Sequence, residues 1–198
     1  DTAVQTRFTS AEIAELAVSL GKLGATSEEI PNLIKPIAAA AQAIGEDISS
    51  VGEAVLKANN QFGISSENSA ITAAVLTDAV TKSALSLSSF NTAMQYVGPL
   101  ASQVGLQIDQ TSGYMKVLAD NGFTASKIGT GLRNIFIQLK ESGKPLTQTL
   151  RELAEENTSL TEAVKLVGVR SAAQLITLLK NIDALEDYTT ATEAITQS

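Results

Sequence analysis

The sequence contains no cysteine and no histidine. Without cysteine there is no disulfide frame, no thiolate nucleophile and no cysteine-held zinc, and nothing marks the redox compartment. Without histidine the commonest general base and the commonest transition-metal ligand are both missing. Serine–histidine triads and histidine-ligated zinc hydrolases are therefore excluded within this chain. Long apolar runs are missing too. No stretch approaches the roughly 18 residues a spanning helix needs, and Ile37 to Ile44 is interrupted by Gln42, so no membrane is expected for this segment. Charge is sparse at 18% of residues, against about 25% in typical domains. The net charge is −7, which argues against broad binding to phosphate backbones or anionic lipid.

What is present is apolar enough to fold. Hydrophobic residues make up 44% of a 198-residue chain, which suffices for one large domain or two small ones. A chain of that size buries roughly 70% of its unfolded surface and needs no staple. The chain begins at Asp1 without a methionine, and no basic-then-apolar leader follows. The expectation is a piece of a longer polypeptide.

The pattern is helical. Apolar residues recur at spacings of three and four in Ile13, Leu16, Ala17 and Leu20, in Val51, Ala54, Val55 and Ala58, in Ile71, Ala74, Val75 and Ala79, and in Leu175, Leu178, Leu179 and Ile182. That is the stripe of an amphipathic helix. Thr9 and Glu12 have capping-box spacing, with Phe8 and Ile13 in staple positions. Ser159 with Glu162, Ser171 with Gln174 and Asp183 with Glu186 repeat the spacing. Asp47, Asp109 and Asp183 also read as caps. Pro31 and Pro36 fall in the second helical stretch and predict a late start or a kink.

An internal repeat accompanies the helices. Gly24-Ala25-Thr26, Gly63-Ile64-Ser65, Gly105-Leu106-Gln107 and Gly122-Phe123-Thr124 share the order glycine, apolar, capping or polar. This predicts structural corners at Gly24, Gly63, Gly105 and Gly122: the glycine closes one helix, the apolar residue packs beneath, and the polar residue starts the next helix. Glu46-Asp47-Ile48 and Leu85-Ser86-Leu87-Ser88 mark further helix starts of the same kind, so corners fall roughly every 20 residues and hairpin units about every 40. The expected fold is all-α, about ten helices, as stacked helical hairpins or an irregular helical bundle. A main body is expected over residues 1–141. Ser142-Gly143-Lys144-Pro145 reads as a linker, and shorter C-terminal helices follow over 142–198.

Little in the chain promises chemistry. Glu28-Glu29 and Glu155-Glu156 are adjacent carboxylates, which cannot face each other across a cleft as a glycosidase pair must; they read as first-turn or solvent-face charge. No acidic loop has calcium-binding spacing, and Gly129-Thr130-Gly131 lacks the preceding strand and the Gly-Lys-Ser/Thr ending of a phosphate loop. Two helical glycines cost about 1 kcal/mol each relative to alanine, so Gly129 and Gly131 predict close helix packing. Lys127, Arg133, Lys140, Lys144 and Arg151 form the one basic stretch; it reads first as a solvated basic face, and the other reading makes Lys127, Arg133 and Lys140 a partner face for an acidic partner or nucleic acid. Phe136 alone interleaves it, which is too thin for base stacking. No catalytic, cofactor-binding or metal-ligating residue is assigned, and no cofactor or specific nucleic acid is expected. From Asn59 to Ser112 the charged residues are Glu67, Asp78, Lys82 and Asp109. Such a stretch is either the covered middle of the fold or an open face for self-association.

Four segments in order carry a resemblance: Tyr96-Val97-Gly98-Pro99-Leu100-Ala101, then Gly105-Leu106, then Leu118-Ala119-Asp120-Asn121-Gly122-Phe123, then Ser126 through Asn134. This resembles the core region of phage tail tape measure proteins, with Leu166-Val167-Gly168-Val169-Arg170-Ser171-Ala172 similar to the family's following segment and Phe8 to Phe62 to its entry. Gln107 departs from a usual serine and Gly131 from a usual alanine. The resemblance implies a virion structural protein and not an enzyme: a mostly helical rod whose length sets tail length while tube subunits polymerise around it. It implies contacts to itself, as a homo-oligomer, and to tail tube, tail tip and tail assembly chaperone proteins, and a place in the virion tail after assembly in the bacterial host cytoplasm. The other reading is a helical-repeat protein–protein binding module of a cellular scaffold.

Overall fold

The computed structural model describes residues 7–185, and all regular structure among them is helical. Ten α-helices follow in order: α1 (Ser10–Lys22), α2 (Ile30–Ile44), α3 (Ile48–Phe62), α4 (Ser69–Thr81), α5 (Leu87–Gln103), α6 (Ile108–Asp120), α7 (Ala125–Lys140), α8 (Leu146–Glu155), α9 (Leu160–Val167) and α10 (Val169–Lys180). A 3-10 turn at Ser66–Asn68 leads into α4.

The helices form two rows. Along one row α1 packs on α3, α3 on α5 and α5 on α7; along the other α2 packs on α4 and α4 on α6. Consecutive helices also touch, so each hairpin leans on the next, as in a solenoid. α10 continues the second row by lying on α6, and it also covers α7. Held by α4, α10, α5 and α7, α6 is buried on every side from Thr111 to Ala119. An all-round buried helix belongs in the middle of a core.

Local chemistry explains most boundaries. Thr9 and Glu12 close a capping box on α1, and Ser159 and Glu162 close another on α9. Asp47 caps α3 through the Ser50 N–H at 2.8 Å. Thr26 and Glu29 make a further reciprocal pair ahead of α2: the Glu29 carboxylate accepts the Thr26 N–H and the Thr26 hydroxyl accepts the Glu29 N–H. Glu28 is exposed beside it, and Glu155 and Glu156 are exposed at the C-terminal end of α8. Pro31 sits in the first turn of α2, where its missing N–H costs nothing. Pro36 lies inside the same helix without ending it. The carbonyl it leaves free, on Asn32, accepts the Ser69 hydroxyl from α4.

At Gly24, Gly63, Gly105 and Gly122 the backbone takes φ values between +65° and +99°. In each corner the next residue, Ala25, Ile64, Leu106 or Phe123, donates its N–H to the carbonyl five residues back. This is the Schellman geometry, and the apolar residue turns onto the core. Gly45, Gly143 and Gly168 also have positive φ, at helix ends for which the sequence pattern named no corner.

Three cap readings need correction. Ser171 and Gln174 do not start a helix. α10 starts three residues earlier after Gly168, so both side chains fall inside its first two turns and point inward, where both are buried. Asp109 is the second residue of α6, not its cap. The cap position is Gln107, whose N–H is accepted by the Gln110 side chain at 3.0 Å. The helix thus starts normally despite the departure from serine. Glu186, the partner assigned to Asp183, lies outside the described residues, and Asp183 itself lies inside the helical residues 182–185 that follow α10, not ahead of them.

Candidate functional site

Three residues of α7 bring its neighbours close. A Cβ on Gly129 would stand 2.6 Å from the Ala93 carbonyl oxygen and 2.8 Å from the Tyr96 Cβ. Only glycine lets α5 approach so near. A Cβ on Gly131 would stand 2.4 Å from the Gln174 side-chain nitrogen. That amide fills the space and donates to the Lys127 carbonyl at 2.9 Å. Asn134 donates to the Val167 carbonyl at 2.6 Å and to the Ser171 hydroxyl at 3.1 Å, which ties α7 to the junction of α9 and α10. Phe136 is fully buried and meets the Tyr114 ring edge-on at 5.6 Å.

This seating leaves one face of α7 in solvent. Lys127, Arg133 and Lys140 are all exposed on it. Arg133 and Lys140 are seven residues apart and share one side; Lys127 stands on the flank. Lys144 and Arg151, from the same basic stretch, are placed differently: Lys144 pairs with Glu152 of α8 at 2.6 Å, and Arg151 lies on α8 itself. The pairing with Lys144 and the Gln148 amide holds the Glu152 carboxyl below its ordinary value.

A buried ion pair joins α4 and α6, two neighbours in the second row of the stack. The ammonium of Lys116, in α6 and 1% exposed, binds Asp78 of α4. Lys82 binds the other Asp78 oxygen at 2.9 Å from the solvent side. Burial by itself pushes the Asp78 carboxyl up, but hydrogen bonds from Lys116 and Lys82 overcome this and hold it below the usual aspartate value. The sequence offered a partial signal, since Asp78 and Lys82 have helical i, i+4 spacing. Nothing local pointed to Lys116, nor to the inward turn of Gln174.

Two open grooves mark the surface. One, of about 420 Å³, runs between α2 and α4 and is lined mainly by alanines, with Asp78 and Lys82 among its walls. A second, of about 760 Å³, lies between α3 and α5 and has a mixed polar lining. Among the described residues no group of three or more His, Cys, Asp or Glu side chains could hold a metal ion. No helix among them is long and apolar enough to cross a membrane. Two further carboxylates with depressed values, Glu12 and Glu162, bind the backbone N–H and hydroxyl of their own caps, Thr9 and Ser159.

The chain is similar to known phage proteins. It is 26% identical over 153 residues to a tape measure protein of Pneumococcus phage Dp-1, a match covering 77% of this chain and 13% of that protein. The chain thus spans a small part of the length of this relative. No solved structure matches it. A family model described as phage-related minor tail protein matches residues 1–197. With nearly its whole length covered by that match, the chain belongs to the phage-related minor tail protein family.

Proposed function

We propose that the chain is a structural segment of a tail tape measure protein, one that helps to set tail length and to template assembly of the tail tube. The observation that carries this reading is the family match along nearly the whole chain, with a relative that bears the name tape measure protein. The architecture is compatible with it. From α1 to α5 each helix leans on the second one after it, so a chain built this way grows along one axis and its length follows its residue count. The segment acts by packing and contact, without cofactor or catalysis, and its partners are further copies of itself, tail tube and tail tip proteins and a tail assembly chaperone. It is assembled in the bacterial host cytoplasm and resides in the virion tail. Self-association through the charge-poor stretch from Asn59 to Ser112 belongs to this reading: α6 within it is covered, but α4 and α5 keep exposed positions such as Ala70, Ser88 and Ser102. The test is an in-frame duplication of the segment in its parent reading frame, with tails measured by electron microscopy. Longer tails support the proposal, and tails of parental length count against it.

A further inference from the structure

Helices α5 and α7 are tightly apposed and jointly present a surface unlike the rest of the molecule. α5 contains no charged residue, and the charged residues of α7 are Lys127, Arg133 and Lys140. The nearest carboxylates in sequence are Asp120, which accepts the Ala84 N–H, and Glu141 at the end of α7. In a chain of net charge −7 this face therefore carries about three positive charges and no carboxylate from its own helices. Four lysines elsewhere are paired: Lys57 with Glu53, Lys82 and Lys116 with Asp78, Lys144 with Glu152. Among the described residues none of the three on α7 makes an ion pair.

Apolar side chains stand among these charges. Ile137 is 40% exposed and lies on the same stripe as Arg133 and Lys140, four residues after one and three before the other. Tyr96 of α5, 43% exposed, borders α7 at Gly129. Aromatic side chains and arginine around an apolar anchor are the composition enriched where proteins bind each other. The face is also preorganised, because Gly129, Gly131 and Asn134 fix α7 against α5, α10 and the α9–α10 junction. Little ordering remains to be done on binding.

We propose that the outer face of α5 and α7 is a docking surface for an acidic amphipathic helix of a partner protein. Arg133 and Lys140 stand two turns apart, about 10.5 Å along the axis. A partner helix matching them carries carboxylates at i and i+7 and an apolar residue between them that seats on Ile137. Lys127 and Tyr96 border the contact on its two sides. An acidic helix fits better than nucleic acid. The remaining acidic surface repels a long phosphate chain, whereas a short helix responds to the local cations within a screening length of about 8–10 Å. Tyr96 alone cannot supply a row of stacking rings. The proposal concerns this surface itself and stands whether or not the segment sets tail length.

The test is fluorescence anisotropy with the 198-residue chain and a labelled 21-residue helical peptide of three heptads, each bearing glutamate at one position and leucine three residues on. The peptide with glutamine in place of glutamate, and a 20-nucleotide DNA in single- and double-stranded form, are run beside it. Saturable binding of the glutamate peptide is expected, weakening as salt rises from about 50 to 300 mM. The exposed double variant Arg133→Glu/Lys140→Glu should weaken it about tenfold or more, because two attractions become repulsions. Arg133→Gln/Lys140→Gln should fall between that variant and the parent, and Ile137→Ser should also lose affinity. Circular dichroism and melting verify that each variant is folded. The proposal is overturned by no saturation at millimolar peptide, by equal binding of the glutamine peptide, by indifference to both double variants, or by tighter binding of DNA.

Discussion

Gly129 lies so close to Ala93 that a single added methyl would come within 2.6 Å of the Ala93 carbonyl oxygen. The obstacle is backbone, which yields only if α5 and α7 move apart. Gly129→Ala gains about 1 kcal/mol of helix propensity but forces that separation. A net loss of about 1–2 kcal/mol is expected, a fall of roughly 2–8 °C in melting temperature. A variant that melts at or above the parent would show that the two helices are not in this contact.

Gly131 faces a side chain instead of backbone. A Cβ there meets the amide of Gln174, whose nitrogen is bonded to the Lys127 carbonyl and whose oxygen is buried without a hydrogen-bond partner. Gly131→Leu should cost about 1–3 kcal/mol by overpacking. Combining it with Gln174→Ala, which empties the space, should cost less than the sum of the single changes. Strict additivity in this cycle would mean that the two residues do not share the site.

Asp78 compensates the buried charge of Lys116. Asp78→Asn leaves that ammonium without its carboxylate and should destabilise the chain by about 3 kcal/mol at neutral pH. The pH dependence follows from the direction of the shift. The folded Asp78 carboxyl titrates below its ordinary value, so its stabilisation is present above about pH 4, where unfolded aspartate is ionised, and is lost as pH falls through the lower folded value. Urea unfolding of the parent between pH 7 and 3 should therefore decline more steeply at the acid end than that of the asparagine variant. Parallel declines would contradict the pairing.

How far the sequence speaks depends on the range of the interaction. Thr9–Glu12 and Ser159–Glu162 were legible because both partners of a capping box lie within one turn. Ser171 and Gln174 have the same spacing, yet tertiary structure outbids the local signal. Gly168 starts the helix earlier, Ser171 accepts from Asn134, and Gln174 crosses to Lys127. Asn134 is 33 and 37 residues away from its two acceptors, and Lys116 is 38 away from Asp78, and no pattern in one chain announces such partners. The all-helical class followed from periodicity over whole helices. The pairing of α1 with α3 and α2 with α4 did not, because it depends on which faces meet across a hairpin. Pro36 shows the same limit: the broken backbone bond could be read, but the Ser69 hydroxyl that answers it could not.

The most direct measurement is tail length after in-frame deletion of this segment from its parent reading frame, scored by electron microscopy of intact particles. If the segment is part of the ruler, tails become shorter. The upper limit is about 300 Å, reached if all its residues run as one continuous helix at about 1.5 Å each, and the loss is smaller where they stay folded in two rows. Tails of parental length on otherwise normal particles would contradict the length-setting role.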